Sequence, residues 1–221
     1  MIRTESLFDL SRSLAGGYLS RYEYPWQAVS GIKDFIVELG VNLNKSEYSE
    51  IMPCVWVHKT AYFSSSACIL SPTVICAESE IRHCAFIRGS ALIGRNCVIG
   101  NSTELKNVIL FDGVQVPHYN YVGDSILGYK SHMGAGSITS NVKSDKSFIT
   151  VNTDENKIET GLKKFGAIIG DNVEIGCNSV LNPGTVIGKN TNIYPMLCLR
   201  GVIASDSIYK SSDVIVPKEN R

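Results

Sequence analysis

Residues 66–111, "SACILSPTVICAESEIRHCAFIRGSALIGRNCVIGNSTELKNVILF", place a bulky apolar residue at every sixth position: Ile69, Ile75, Ile81, Ile87, Ile93, Ile99, Leu105 and Phe111. Counting back by sixes extends the ladder to Phe63, Val57 and Ile51. Two residues before most rungs stands a small or β-branched residue, as at Ala61, Ala67, Thr73, Ser79, Ala85, Ala91, Cys97 and Thr103. A period of six is neither helical nor that of an isolated strand, and a short-repeat β-solenoid accounts for it. Each hexad forms one flat side of a triangular coil, with the large side chain filling the interior and the small one fitting the corner. Three hexads close a coil.

The pattern returns in residues 167–199, "AIIGDNVEIGCNSVLNPGTVIGKNTNIYPMLCL", where Ile169, Ile175, Leu181, Ile187, Ile193 and Leu199 are again six apart. Gly170, Gly176 and Gly188 follow three of these rungs and suit corners. Between the two runs the inward residues read as Val116, Val122, Leu127 and Met133, which requires two one-residue slips, one between Phe111 and Val116 and one between Val122 and Leu127. The stretch "PHYNYVGDS", residues 117–125, lies where the count fails.

The chain has 221 residues, 44% of them apolar, enough to bury a core. Acidic and basic residues balance at 21 each, which argues against nucleic acid or a membrane surface as the main partner. There is no apolar run of spanning length and no signal peptide, and seven irregularly spaced cysteines without a C-x-x-C pair point to reduced thiols in a cytoplasm rather than to a disulfide framework or zinc site.

Residues 1–48 stand outside the ladder. Leu7, Leu10, Leu14 and Tyr18 form one stripe at helical spacing, and Val29, Ile32, Phe35, Ile36 and Leu39 a second, with Pro25 placed to start that helix and Gly40 to end it. The expectation is a helical hairpin or pair on the first coils, covering an open sheet end. Residues 49–205 form the solenoid and 206–221 a C-terminal tail. Within the solenoid, residues 141–167 are too long for a plain connection; "SFITVNTDENKIET" reads as a protruding hairpin with "DEN" near its tip, in a loop carrying Lys143, Lys146, Lys157, Lys163 and Lys164.

His118 is the strongest candidate base, since it lies at the register break, precedes Tyr121 and Asp124, and is a residue type suited to proton transfer near neutrality. His58 and His83 fall within regular hexads and read as surface residues.

Residues 88–142, "RGSALIGRNCVIGNSTELKNVILFDGVQVPHYNYVGDSILGYKSHMGAGSITSNV", resemble the acetyltransferase domain of the bifunctional glucosamine-1-phosphate acetyltransferase/N-acetylglucosamine-1-phosphate uridylyltransferases. The later "GLKKFGAIIGDNVEIGCNSVLNPGTVIG" is similar to the archaeal sugar-phosphate type especially, and the likeness covers most of residues 50–200. It implies a left-handed parallel β-helix of hexapeptide repeats, a cytoplasmic homotrimer with ligands in intersubunit grooves, and acetyl transfer from acetyl-CoA to the amine of an amino-sugar 1-phosphate, with no metal required. It further implies His118 as general base, Arg88 and Lys106 on the sugar phosphate, Tyr121 on the sugar, Glu104 near the amine, Ala135 presenting a main-chain group to the acyl donor, and Asn141 near that donor. Two positions depart: His132 stands where the family has a sugar-contacting asparagine, and Cys177 where it has a serine near the thioester. The family's loop lysines are also displaced, with Ser147 and Thr150 at their places. No G-x-G-T-R-like nucleotide loop occurs in the chain, so UDP-sugar formation is not expected of it.

Three other readings compete. Transfer to a nucleotide-linked amino sugar or from an acyl carrier protein uses the same single histidine, and a noncatalytic trimeric scaffold uses the same fold. Retention of Arg88, Glu104, Lys106, His118 and Tyr121 together argues against a scaffold. A γ-class carbonic anhydrase needs two metal histidines five apart, and position 123 is glycine.

Overall fold

In the computed structural model, which describes residues 2–153, 156–211 and 214–218, the strands of successive coils pair in parallel. Val57 lies beside Ile75 and Ile75 beside Ile93, so that three full hexads close each of these coils. The chain is mainly β, a parallel solenoid with three sides. One side carries Val55–His58, Thr73–Ile75, Ala91–Ile93 and their successors; the second carries Glu80–Ile81, Val98–Asn101, Gln115–His118 and His132–Met133; the third carries Phe86–Ile87 and the starts of Glu104–Leu110 and Tyr121–Leu127. The rungs Ile75, Ile81, Ile87, Ile93, Ile99 and Leu105 are fully buried. Corner hydroxyls satisfy main-chain carbonyls, as Ser79 Oγ donates to the Gly94 carbonyl at 2.6 Å and Thr103 Oγ1 to that of Val116 at 2.9 Å. Left-handed residues mark the corners every six positions at Glu78, Cys84, Ser90, Asn96 and Ser102.

The count then shortens, one corner earlier than expected. The next left-handed residue is Asn107, five after Ser102, and Asp124 follows Tyr119 by five. Ile93 therefore pairs with Leu110, and Leu110 with Leu127, so that each of these coils falls one residue short of three hexads. Leu110, not Phe111, is the rung. Phe111 lies at the turn and stacks on Phe8, ring centroids 4.9 Å apart. The second slip falls between Val122 and Leu127 as expected. The hexad of His118 itself, from Val116 to Val122, has the ordinary length, so the breaks flank the histidine instead of containing it.

The N-terminal residues do not cap the end of the solenoid but line one side. The first stripe is not one helix: it breaks into turns at Thr4–Leu7, Leu10–Arg12 and Gly16–Leu19, because the backbone is extended at Phe8 and at Ser13. The second begins at Pro25 as a 3-10 turn, Pro25–Gly31, and passes into the α-helix Ile32–Val41. Gly40 lies inside that helix, where a Cβ would come within 2.1 Å of the Trp56 ring, so its role is close packing. The helix packs on Thr73–Ile75, Ala91–Ile93 and Glu104–Leu110, and the 3-10 turn on Tyr121–Leu127. The cause is a row of outward apolar residues, Trp56, Val74, Leu92, Ile109, Ile126 and Ile168, each flanked by buried residues and each buried itself. Since alternate strand residues face opposite ways, one side of the prism is apolar inside and out, and each such residue gains about 1.5–3 kcal/mol from cover. Asp171 anchors the other end, its N–H donating to the Leu7 carbonyl (3.1 Å) and its carboxylate accepting from the Asp9 N–H (2.6 Å). The first coil stays open: Phe63 is 39% exposed, and Ile51, 45% exposed, belongs to the antiparallel strand Tyr48–Met52 and is not a rung.

Within residues 141–167, Thr150–Asn152 and Lys157–Glu159 pair as an antiparallel hairpin. Ile149, Val151 and Phe165 are fully buried, so its base is folded onto the coils; Asp154 and Glu155 of the expected tip lie outside the described residues. Ser207–Ser211 continues the second side beside Asn192–Ile193, and Val214–Pro217 returns antiparallel to it.

Candidate active site

His118 ends the strand Gln115–His118 and is exposed at a corner. Its main chain is fixed on both sides: the N–H donates to Asn120 Oδ1 at 3.0 Å, and the carbonyl accepts from the Gly136 N–H at 2.9 Å. Asn120, 2% exposed, replaces the usual small corner residue. Its amide donates to the carbonyls of Gly134 (2.8 Å) and Ser137 (3.1 Å), tying two coils together.

The corner hydrogen bonds continue as a column. The N–H of Tyr119 donates to Asn101, that of Gly136 to His118, that of Asn178 to Ala135 and that of Met196 to Cys177. His118, Ala135 and Cys177 thus occupy one edge on successive coils, each step about 4.8 Å. The Ala135 carbonyl is engaged, while its N–H donates to no protein acceptor among the described residues.

The third side begins beyond this corner. Glu104 pairs with Tyr121 and Lys106 with Gly123, so Glu104 and Lys106, two residues apart, point outward together beside Tyr121. Arg88 Nη1 meets Glu104 Oε1 at 2.7 Å. Lys106 Nζ contacts both oxygens of Asp124 at 2.9 and 3.0 Å, and Asp124 also accepts from Asn107 Nδ2 (2.8 Å) and from Asn141 Nδ2. Gly123 opens the space: a Cβ there would stand 2.5 Å from Tyr121 Oη and 3.0 Å from Asn141 Nδ2. Burial, then the nearby Asp124 and Glu104 carboxylates, push the Tyr121 phenol above its usual range and keep it a proton donor. Two cations and two carboxylates make the cluster internally neutral.

Of the expected residues, His118, Ala135 and Cys177 share an edge, and Arg88, Glu104, Lys106, Tyr121 and Asn141 share the adjoining side. Asn141 engages Asp124 rather than standing free beside the Ala135 column. His132 is set apart: it pairs with Gln115, three residues or about 10 Å along the strand from His118, and its Nδ1 meets Glu174 Oε2 at 2.8 Å. It lines a separate depression of about 400 Å³ with Lys130, Gln115 and Glu174. His83 is exposed and His58 half-buried against Thr60. In the loop, Lys143 Nζ donates to Ser147 Oγ and the Phe148 carbonyl. The sequence reading missed Asn107, Asn120 and the burial of Asp124; the five-residue corners were the available signal for two of them. Among the described residues no group of three or more His, Cys, Asp or Glu is placed to hold a metal ion, and no helix is long and apolar enough to cross a membrane.

Residues 166–201 match the family model described as bacterial transferase hexapeptide (six repeats). The chain carries hexapeptide repeats of the transferase type. Residues 69–162 match the model described as the GMPPB C-terminal domain. The bifunctional protein GlmU of Methanococcus aeolicus is 37% identical over 62% of this chain and 33% of its own length. The bifunctional sugar-1-phosphate nucleotidylyltransferase/acetyltransferase of Sulfurisphaera tokodaii is 34% identical over 50% of this chain and 28% of its own. The aligned part is about a third of the length of these curated relatives. Among solved structures, the acetyltransferase domain of PglB from Neisseria gonorrhoeae in complex with acetyl coenzyme A is 17% identical, with a TM-score of 0.35 over 73% of this chain and 56% of that one.

Proposed function

We propose that this chain is an N-acetyltransferase moving an acetyl group from acetyl-CoA to the amine of an amino-sugar 1-phosphate. The observation that carries the reading is the placement of His118 at the corner adjoining the side that presents Arg88, Glu104, Lys106 and Tyr121. The similarity to bifunctional sugar-phosphate enzymes supports it.

In this reading the sugar phosphate sits over Arg88 and Lys106, a forked donor and a point charge suited to its oxygens. Their carboxylate partners restrain both cations before the ligand arrives, and Glu104 then faces the amine. His118 takes a proton from the attacking nitrogen as the C–N bond forms at the acetyl carbonyl. The Ala135 N–H stabilises the tetrahedral oxyanion. Collapse breaks the C–S bond and releases the CoA thiolate, which takes the proton held by His118 as the amide product leaves. Cys177, a coil beyond Ala135, faces the donor's pantetheine arm. Neither the amine nor the thiolate requires a Lewis acid.

Adjacent chains of a homotrimer complete the groove, and the proposal concerns acetyl transfer. The test is thiol release from acetyl-CoA with glucosamine-1-phosphate, galactosamine-1-phosphate and UDP-linked amino sugars offered side by side, with sedimentation of the same sample. Release with a sugar phosphate, lost in His118→Ala, supports the reading. Release with the UDP-linked sugars alone, or none from a folded trimer, overturns it.

A further inference from the structure

Asp124 is 3% exposed, yet it carries a carboxylate at a solenoid corner. An unsatisfied buried charge is costly, and here the cost is offset by donors from three directions: Lys106 Nζ on both oxygens, Asn107 Nδ2 from the coil before, and Asn141 Nδ2 from the coil after. Both shortened corners meet at this point, because Asn107 and Asp124 are their left-handed residues, at φ 55° and 49°. Without the missing residue in each corner, the stacking of Asn107, Asp124 and Asn141 would be spaced differently along the chain.

The contact extends behind the strand. Asn107 Nδ2 also donates to the Val29 carbonyl at 3.1 Å, in the 3-10 turn of the N-terminal cover. A continuous hydrogen-bonded path therefore runs from Val29 through Asn107 and Asp124 to Lys106 and Asn141. Residues 1–68 lie outside both family-model matches, so this grip comes from a part of the chain those models do not describe.

We propose that Asp124 is a positioning residue that fixes the Lys106 ammonium on the outer side of the strand, and that the N-terminal cover holds Asp124 in place through Asn107. The geometry stands without the acetyl-transfer reading; its consequence for sugar-phosphate binding rests on that reading.

Two readouts separate them. Trace labelling of lysines with acetic anhydride, read by mass spectrometry on the full chain, reports Lys106 independently of catalysis, with exposed Lys45 as reference. Freed of its hydrogen-bonded carboxylate, Lys106 is expected to label about tenfold faster in Asp124→Asn. Asn107→Gly keeps the left-handed turn while removing the amide, and is expected to give about a threefold rise. In the same variants the KM for the sugar phosphate rises by similar factors while kcat stays within about twofold, a split that general loosening would not give. Unchanged Lys106 labelling in Asn107→Gly and in folded Asp124→Asn overturns the proposal, and Asn107→Gly alone decides it where Asp124→Asn does not fold. Faster labelling with an unchanged KM upholds the positioning role and overturns the assignment of Lys106 to the sugar phosphate.

Discussion

The coils from Val57 to Ile93 and those from Ile93 to Leu127 are built from the same hexads, yet the first keep three full hexads per coil and the second fall one residue short. In the strict coils the buried corner hydroxyls bond main-chain groups, as Ser79 Oγ does between the Gly94 carbonyl and the Cys97 N–H. In the short coils two corners lose a residue, and the turning side chains become Asn107 and Asp124, whose polar ends meet each other and Lys106. The fold tolerates the deletion because a corner, unlike a strand, has no alternation to preserve. Polar side chains have gathered where the repeat is imperfect.

The largest test of that contrast is His118→Ala. It should lower acetyl transfer by at least about 100-fold while thermal unfolding stays within about 0.5 kcal/mol of wild type, as expected for an exposed side chain. A comparable loss from His83→Ala, in the same corner column of the strict coils, would break the contrast. Next is Leu92→Ala, a strict-coil residue under the N-terminal helix. It should cost about 2–5 kcal/mol in denaturant unfolding and leave KM and kcat of the folded molecules unchanged.

A third test removes the difference itself. One alanine inserted between Asn107 and Val108 restores the full three hexads to that coil. The far-UV spectrum should be retained and the sugar-phosphate KM should rise about tenfold, the worth of a hydrogen bond to a charged group. Undiminished affinity would show that the shortened corner has no bearing on the site. The smallest expected effect is that of Tyr121→Phe, about threefold in kcat/KM. Because the phenol is held above its ordinary value of 10.0, it remains protonated through neutrality, and the ratio of wild type to variant should be constant from about pH 6 to about pH 9. A ratio that declines within that range would mean that the hydroxyl ionises there.

The period of six made the solenoid legible from side-chain volume alone. It misled at two rungs: Ile51 lies on the antiparallel strand before the first coil, and Phe111 satisfied the count with an apolar residue that the structure uses outside the prism. The lateral cover was legible in principle: the triplets Val55-Trp56-Val57, Thr73-Val74-Ile75 and Ala91-Leu92-Ile93 are apolar on both strand faces, which a side open to water does not need. The helical stripe of Leu7, Leu10, Leu14 and Tyr18 promised a longer helix than the extended backbone at Phe8 and Ser13 permits. At the site, the outward set of Arg88, Glu104, Lys106 and Tyr121 followed from resemblance and from strand alternation. Asp124 did not, because its burial depends on donors from the coils before and after it, and position in a repeat says nothing of what crosses between them.

The cover has a kinetic consequence as well. Asp9 hydrogen-bonds Asp171, 162 positions away in sequence, whereas each coil needs only the coil made just before it. During synthesis the row from Trp56 to Ile168 emerges coil by coil, while the segment that shields it can reach its final anchor only after Asp171 has been made. Contacts of such long range form late, and exposed apolar surface in that interval favours aggregation. Residues made first are seated last, and the yield of folded protein is therefore set by how long one apolar side of the prism waits uncovered.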